Sequence, residues 1–193
     1  MKVVIIKYNS GNVRSVKFAL ERIGINPVIS DDADEIRSAD KIILPGVGEA
    51  SSAMKYLKES ELDKVIVSLT QPILGICLGM QLMCKYSEEG NTNCLGIFDQ
   101  QVRKFDDKLK VPQIGWNDIS NLKTDLFKNI TKNEFMYFVH GYYAELSENT
   151  IATTNYGIDY SSALQKNNFY GVQFHPEKSG AAGEKILKNF ISL

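Results

Sequence analysis

Short apolar runs that do not alternate with polar residues mark the first half of the chain. They cover residues 3–6, 41–44 and 73–76 (VVII, KIIL and ILGI), and residues 27–29 (PVI) form a shorter one. Runs of this kind, bounded by turn sequences, are typical of strands that are buried on both faces of a sheet. Four buried strands are therefore predicted before residue 77.

Helices are predicted between these strands, because apolar residues recur there every three or four positions. The first follows the turn sequence at residues 9–12 (NSGN) and stops at Gly24, a residue type that often ends helices. The second covers about residues 51–68, and the third covers residues 78–83, directly behind a strand. Strands joined by helices in this order indicate a parallel sheet covered on both faces.

The second half of the chain is richer in extended segments. Residues 135–143, 151–156 and 169–174 are predicted as strands, and an apolar stripe at residues 186–191 predicts a final helix. We therefore expect one α/β domain over residues 1–193, with a mixed, mostly parallel central sheet flanked by helices.

Composition and charge narrow the classes of function. Hydrophobic residues make up 44% of the chain, enough to bury a core, so global disorder is excluded. The 22 basic and 23 acidic residues give a net charge of −1, without the basic excess that a nucleic-acid backbone requires. No apolar run is long enough for a membrane span or a signal peptide. Residues 104–110 mix both charges and predict a solvated loop.

The cysteines and histidines argue against a disulfide frame and against a metal site. Cys77, Cys84 and Cys94 are odd in number and contain no Cys-x-x-Cys pair, which predicts reduced thiols and a cytoplasmic protein. Only two histidines, His140 and His175, are present. A zinc site would need nearly all five side chains to converge, so no metal and no other cofactor is expected.

The sharpest local signal lies at residues 75–79 (GICLG), where a predicted strand turns directly into a predicted helix. A nucleophile between two glycines in this setting forms a nucleophile elbow. The helix N-terminus favours the thiolate of Cys77, and the next backbone N–H, that of Leu78, can point at an oxyanion. A buried cysteine between packing glycines is the structural alternative.

His175 and Glu177 follow the predicted strand at residues 169–174. In an extended chain, residues i and i+2 point the same way, and Pro176 disfavours a helical conformation at His175. Glu177 can then orient the imidazole while its other nitrogen faces a nucleophile. A surface turn with a capping glutamate is the alternative. His140 has no adjacent carboxylate and is predicted to be a packed, hydrogen-bonded histidine.

The loop after the third predicted strand is a further candidate part of the site. Gly46, Val47 and Gly48 lie at the expected carboxyl edge of the sheet, where backbone N–H groups can bind an anion. A plain turn is equally compatible with this pattern. Gln81 falls one helical turn after Cys77, where its amide either binds a polar substrate or lies in solvent.

Together these segments resemble the class I, triad-type glutamine amidotransferases over essentially the whole chain. The resemblance rests on the order Cys, His, Glu and on the motifs GICLGMQ at residues 75–81 and GVQFHPEKSG at residues 171–180. Within the class, the sequence is similar to the glutaminase subunits of imidazole glycerol phosphate synthases. This narrower likeness rests on PGVG at 45–48, Met80, GWN at 115–117, YFVHGYY at 137–143 and FYGVQFHPEKSGAAG at 169–183.

The resemblance implies roles for particular residues. Cys77 is then the nucleophile, His175 the acid and base, and Glu177 its orienter. The positions that match the oxyanion loop and the substrate contacts are Gly46, Val47, Gly48, Gln81, Glu89, His140, Gly141 and Tyr142. The family more often has serine in place of Gly141. Asn12 and Lys178 match positions near a subunit interface.

The implied reaction is the hydrolysis of L-glutamine to glutamate and ammonia. Ammonia loses its nucleophilicity when water protonates it, and the chain has no recognisable acceptor site, so a partner subunit is expected. The resemblance implies a heterodimer with a barrel-shaped cyclase that makes imidazole glycerol phosphate and an aminoimidazole carboxamide ribotide in histidine biosynthesis. It also implies low activity before that partner binds. Two alternatives remain: an ammonia supplier for another acceptor, such as a sugar, and a thiol hydrolase or peptidase.

Overall fold

The computed structural model of the chain describes residues 1–9 and 11–193, so Ser10, a part of the predicted first turn, lies outside the described residues. The helices are α1 (Val13–Arg22), α2 (Ala33–Arg37), α3 (Ala50–Glu59), α4 (Leu62–Val67), α5 (Leu78–Met83) and α6 (Gly180–Ser192). The first strands are β1 (Val3–Ile6), β2 (Val28–Ser30), β3 (Lys41–Leu44), β4 (Ile73–Ile76), β5 (Tyr86–Ser87) and β6 (Thr92–Asn93). The others are β7 (Gln101–Lys104), β8 (Gln113–Ile119), β9 (Glu134–His140), β10 (Tyr142–Ala144), β11 (Thr150–Asn155), β12 (Asp159–Lys166) and β13 (Phe169–Val172).

One mixed sheet runs through the molecule. Its strands follow the order β2-β1-β3-β4-β13-β12-β10-β7-β5-β6, and β11 pairs with β12. The first five strands in this order are parallel to one another, whereas β12 pairs antiparallel with β13, β10 and β11. Strands β8 and β9 form a separate antiparallel pair. The predicted α/β class, with a mixed, mostly parallel sheet flanked by helices, is confirmed.

Helices cover both faces of the parallel strands. Helices α2 to α5 contribute to one buried apolar cluster, and helices α1 and α6 contribute to the other. Every residue of β1, β3 and β4 is buried, because each face of these strands meets a layer of helices. The prediction of a buried strand is wrong for β2, which lies at the edge of the sheet and exposes Val28. This two-sided burial is the physical reason for the unbroken apolar runs in the sequence. Within the described residues, no helix is long and apolar enough to cross a bilayer.

The structure corrects the predicted helix at residues 51–68, which is two helices. Helix α3 ends at Glu59, and Glu61 adopts a left-handed backbone with φ +56° before α4 begins. The hydroxyl of Ser60 donates hydrogen bonds to the carbonyl oxygens of Tyr56 and Leu57, at 2.8 and 3.3 Å. A serine that satisfies terminal carbonyls in this way favours a helix end. The predicted end of α1 is confirmed, since Gly24 has φ +84° just after it.

The single strand predicted at residues 135–143 is two strands in the structure. Gly141 interrupts it, so that β9 pairs with β8 while β10 joins the main sheet. Strand β13 ends at Val172 rather than at residue 174. Helix α2 and strands β5 to β8 and β12 were not predicted. Phe105, in the predicted solvated loop, is buried. The carboxyl ends of the parallel strands β3, β4 and β13 lie side by side at one edge, where ligands bind in α/β sheets.

Candidate active site

Cys77 occupies the predicted nucleophile elbow between β4 and α5. Its backbone has φ +51° and ψ −109°, a conformation that a residue with a side chain rarely adopts. The strain is of the order of 1–3 kcal/mol and requires support from the surrounding structure. One support is the hydrogen bond that the backbone N–H of Cys77 donates to the carbonyl oxygen of Val172, at 2.8 Å.

The two flanking glycines are needed because backbone segments pass very close to the elbow. A Cβ atom on Gly79 would lie 1.9 Å from the carbonyl oxygen of Leu44, which is the last residue of β3. A Cβ atom on Gly75 would lie 2.8 Å from the backbone of Gly79. The G-x-C-x-G pattern therefore has a steric cause in the packing of β3, β4 and α5.

His175 and Glu177 form the predicted pair. Their Nδ1 and Oε1 atoms are 2.8 Å apart, and both side chains are buried. The predicted reason is only partly right, because His175 is extended but residues Pro176–Lys178 form a 3₁₀ turn. The hydroxyl of Ser179 donates to the carbonyl of His175 at 2.7 Å, and the N–H of His175 donates to the carbonyl of Tyr137 at 2.9 Å. These bonds fix the position of the imidazole.

The remaining nitrogen of His175 is left for Cys77. Nε2 is fully buried and has no fixed hydrogen-bond partner among the described residues. Burial alone lowers the pKa of His175, but its interactions with Cys77 and Glu177 outweigh burial and raise that pKa to about 10. The imidazole is therefore placed to exchange a proton with the sulfur.

Cys77 lines a cavity of about 250 Å³, large enough for a small metabolite. The cavity wall is formed by Val47, Gly48, Cys77, Leu78, Gln81, Glu89, Pro112, Val139, His140, Gly141 and Tyr142. The structure thus brings together around one space most residues that the sequence pointed to. Five predicted residues are not part of the wall: Gly46, His175, Glu177, Asn12 and Lys178.

Gln81 and Glu89 contribute hydrogen-bond acceptors to the cavity. The Nε2 atom of Gln81 donates to the carbonyl of Tyr142 and to Oε1 of Gln173, both at 2.9 Å. Its amide oxygen is therefore the group that it can offer to a ligand. One carboxylate oxygen of Glu89 accepts from the backbone N–H of Ala50 at 2.8 Å, and burial raises the pKa of Glu89.

His140 is the packed histidine that the sequence predicted. Nδ1 is 2.7 Å from the carbonyl oxygen of Tyr142, and Nε2 is 3.3 Å from the hydroxyl of Tyr160. Burial lowers the pKa of His140 to about 4, so the ring is neutral, with Nδ1 as donor and Nε2 as acceptor. Next to it, a Cβ atom on Gly141 would lie 3.4 Å from Val111, an ordinary contact.

The glycine loop lies against the elbow. The backbone N–H of Leu78, the predicted oxyanion donor, donates to the carbonyl oxygen of Gly46 at 3.3 Å. An oxyanion can use this N–H only after that bond opens. The hydroxyl of Tyr8 donates to the carbonyl of Pro45, and Gly48 has φ +121°. The loop is therefore anchored at its start and carries a glycine-only conformation near its end.

Asn12 contacts the histidine–glutamate pair, a role that the sequence did not indicate. Its Nδ2 donates to Oε1 of Glu177 and lies 3.4 Å from Nδ1 of His175. Lys178 extends over the ring of Tyr137, with Nζ 5.9 Å from the centroid. Sequence reasoning also missed Gln173, whose Nε2 is 3.6 Å from the sulfur of Cys77. The i, i+2 relation between Gln173 and His175 was the available signal.

No cluster of three or more metal-binding side chains occurs in the part of the chain that the structure describes. The site combines a nucleophile elbow with a His–Glu pair, which suits acyl transfer through a thioester.

Residues 4–193 match the family described as glutamine amidotransferase class-I, and the chain belongs to that family. A crystal structure described as glutamine amidotransferase shares the fold, with a TM-score of 0.74 and 20% identity over 100% of this chain and 98% of the other.

Curated relatives define a narrower group. The chain is 59% identical to the imidazole glycerol phosphate synthase subunit HisH of Bacteroides fragilis, with 100% of both chains covered. It is 48% identical to the subunit of the same name from Haemophilus influenzae, over 99% of this chain and 97% of that one. Within class I, the chain therefore falls among the HisH subunits of imidazole glycerol phosphate synthase, as its motifs predicted.

Proposed function

We propose that residues 1–193 act as one glutamine amidotransferase domain that hydrolyses L-glutamine to L-glutamate and ammonia. Cys77 is the nucleophile, His175 is the acid and base, and Glu177 orients the imidazole. The observation that carries this proposal is the buried His175–Glu177 pair, 2.8 Å apart, beside the sulfur that opens into the cavity.

In the first half of the reaction, His175 takes the thiol proton of Cys77, and the sulfur attacks the carboxamide carbon of glutamine. The resulting tetrahedral oxyanion is stabilised by backbone N–H groups of Leu78 and of the loop at Val47 and Gly48. The protonated imidazole of His175 then gives its proton to the leaving nitrogen, and the C–N bond breaks. Ammonia and a glutamyl thioester on Cys77 result.

In the second half, the neutral imidazole of His175 takes a proton from a water molecule that attacks the thioester carbon. The C–S bond breaks, glutamate leaves, and the sulfur and the imidazole return to their starting states. Glu177 stabilises the positive imidazolium whenever it forms, which is why its carboxylate lies on Nδ1.

Substrate recognition falls to the residues that line the cavity. The amide oxygen of Gln81 and the carboxylate of Glu89 are both acceptors, and they suit the α-ammonium group of a free amino acid. The backbone at His140, Gly141 and Tyr142 closes the opposite wall. A cavity of about 250 Å³ suits one free glutamine.

The isolated chain is in a low-activity state, because the N–H of Leu78 is bonded to Gly46 and is not free for an oxyanion. A rearrangement of residues 45–48 is needed before both donors can act. We attribute that rearrangement to binding of a barrel-shaped cyclase subunit that receives the ammonia and makes imidazole glycerol phosphate and an aminoimidazole carboxamide ribotide in the cytoplasm. The three cysteines, all free thiols in the structure, suit that reducing compartment.

The outer face of the β8–β9 pair supports this partner. Ile114, Trp116 and Phe135 are each more than half exposed there. Tyr137 packs on Trp116, with ring centroids 5.9 Å apart, and Lys178 lies over Tyr137. A patch of exposed apolar and aromatic residues is typical of protein interfaces. We call Ile114, Trp116, Phe135 and Tyr137 the aromatic face, with Asn12 and Lys178 near its inner edge.

Glutamate release is the test of the proposed reaction. The wild type, Cys77→Ala and the matched control Cys94→Ala are assayed on L-glutamine and on glutamine-containing peptides, with and without a candidate cyclase and its acceptor. Wild type and control should release glutamate from free glutamine only, faster with the cyclase, and Cys77→Ala should be inactive. Hydrolysis of peptides, or full turnover without any partner, would contradict the proposal. If only a sugar acceptor stimulated glutamate release, the chain would instead supply ammonia for the amination of a sugar.

A further inference from the structure

Gln173 is a buried side chain that contacts the reacting sulfur and has no role in the reaction described above. It lies just after β13, two residues before His175, and is fully buried. Its Nε2 lies 3.6 Å from the sulfur of Cys77, and its Oε1 accepts a hydrogen bond from Gln81 at 2.9 Å. One amide thus joins the nucleophile to a residue of the cavity wall.

The orientation of this amide is fixed by its neighbours. The carbonyl oxygen of Tyr142 can only accept, so the group of Gln81 that faces it must be the NH₂ group. The same NH₂ group also contacts Gln173, so the atom that Gln173 presents to it must be the oxygen. The NH₂ group of Gln173 therefore faces Cys77.

The surroundings of the sulfur make this donor chemically significant. The carbonyl oxygen of Val139 lies 3.7 Å from the sulfur and can accept the thiol proton. That oxygen favours the neutral thiol and repels a thiolate. The N–H of Gln173 has the opposite effect, because a donor favours the charged form of its acceptor.

We propose that Gln173 is a catalytic hydrogen-bond donor that stabilises the thiolate of Cys77 and couples the sulfur to the ligand-binding amide of Gln81. A substrate that forms a hydrogen bond with the amide oxygen of Gln81 polarises the series of hydrogen bonds that runs from Gln81 through Gln173 to the sulfur of Cys77. The coupling to substrate rests on the proposed glutaminase function, whereas the effect on the sulfur does not.

Other titratable groups also face this sulfur or its cavity. His175 with Glu177 lies on one side, Tyr160 from β12 and His140 from β9 lie near it, and Glu89 lies on the cavity wall. All of them remain when Gln173 alone is changed. A comparison of variants that differ only at Gln173 therefore isolates the effect of its amide.

The test is the pH dependence of iodoacetamide alkylation at Cys77, in which the thiolate displaces iodide. Peptide mass spectrometry separates this product from the product at Cys94. In Gln173→Met, which keeps the side-chain length and removes the donor, the midpoint of the profile should rise by about one pH unit or more. An unchanged midpoint in a folded variant overturns the proposal, whether or not the chain hydrolyses glutamine.

Ser162→Ala is the matched control. Its hydroxyl is fully buried without a hydrogen-bond partner among the described residues, and its carbonyl accepts from the backbone N–H of Gln173. The variant changes a buried polar group beside Gln173 but leaves the donor to the sulfur in place. Its alkylation midpoint should match that of the wild type. A shift equal to that of Gln173→Met would assign the effect to general packing and overturn the proposal.

A measurement on the wild type keeps the proposal testable if Gln173→Met does not fold. The side-chain amide resonances of Gln173, followed by nuclear magnetic resonance, should titrate with the same midpoint as the thiolate absorbance at Cys77. The titration should vanish in Cys77→Ser. Resonances that do not respond to pH in the wild type would show that the amide does not bond the sulfur.

Discussion

The two histidines of this chain lie near the site of Cys77, and their pKa values are shifted in opposite directions. His175 has a carboxylate on one nitrogen and a sulfur near the other, which raise its pKa to about 10. His140 has only neutral partners, and burial lowers its pKa to about 4. At the residue scale, the partners of each histidine, and not the residue type, thus distinguish the proposed acid and base from a neutral, packed histidine.

The low pKa of His140 predicts a loss of stability in acid. The unfolded histidine binds a proton below its ordinary pKa of 6.5, whereas folded His140 does not until about pH 4. The free energy of unfolding should therefore fall as the pH decreases from 6.5 to 4, by about 3 kcal/mol from this group. Urea unfolding of the wild type and His140→Gln across this range measures it. The variant should show a shallower dependence, and parallel curves would contradict the assignment.

Glu177→Gln tests the charge on the orienting carboxylate. The amide oxygen can still accept from Nδ1 of His175 but does not stabilise the imidazolium, so kcat should fall about 10³-fold or more with little change in KM. Glu184→Gln is the matched control, since Glu184 is an exposed carboxylate that pairs with Arg22 on the surface. A decrease in kcat of less than tenfold for Glu177→Gln would show that Glu177 is not the residue that orients and charges the imidazole.

Sequence reasoning reached the residues of the proposed triad for a specific physical reason. The elbow motif fixes Cys77 locally, and His175 and Glu177 are only two residues apart. Asn12 was assigned to an interface and not to Glu177, because a contact across 165 residues leaves no local pattern. Gln173 lies beside a predicted residue, but its partner is reached only when β13 and β4 pair.

At the scale of elements, the elbow is a junction where β3, β4 and α5 touch through glycines. Gly46 belongs to it as well, since a Cβ atom there would lie 2.7 Å from the backbone nitrogen of Gly79. The catalytic turn and the glycine loop are thus packed directly on each other. If the glycine loop moves, its contacts with the elbow must change.

Gly79→Ala should be a strongly damaging small change. Its Cβ would lie 1.9 Å from the carbonyl oxygen of Leu44, so β3 or α5 must shift. We expect a loss of more than about 3 kcal/mol in the free energy of unfolding, or no folded protein. Gly141→Ala is the control, because its nearest neighbour is 3.4 Å away, and it should cost less than about 1 kcal/mol. Equal stability of the two variants would contradict this packing.

The strands that sequence reasoning found and missed differ in burial. Strands β1, β3 and β4 are apolar on both faces and were predicted with their bounds. Strand β8 exposes Ile114 and Trp116 while Gln113 is buried, so its pattern gives no inward apolar stripe. Strand β12 follows the same rule, since Ser161 and Ser162 are buried in it. Pairing partners, and not local propensity, specify such strands.

At the scale of the whole molecule, β9 connects the catalytic site to the aromatic face. The carbonyl of Tyr137 accepts from the N–H of His175, and the carbonyl of Val139 lies by the sulfur of Cys77. The ring of Tyr137 packs on exposed Trp116 on the outside. A partner that binds this face therefore contacts the strand that touches Cys77 and His175 of the proposed triad.

Trp116→Ala should weaken the cyclase complex without weakening the isolated fold. The indole is 55% exposed, so its loss removes little buried area from the free chain. If it is an anchor of the interface, Kd should rise about 30-fold or more, as titration calorimetry measures. Val67→Ala, an exposed apolar residue on α4 away from this face, should leave both Kd and Tm unchanged. Similar losses in both variants would place the interface elsewhere.

The most direct measurement of the central claim is peptide mass spectrometry of the chain after rapid acid quenching during turnover of L-glutamine with its cyclase. The account predicts a glutamyl group on the peptide that contains Cys77 and none on those of Cys84 or Cys94. It predicts no such group in Cys77→Ala. Glutamate release with a normal rate in Cys77→Ala, or a glutamyl group on another cysteine, would contradict it.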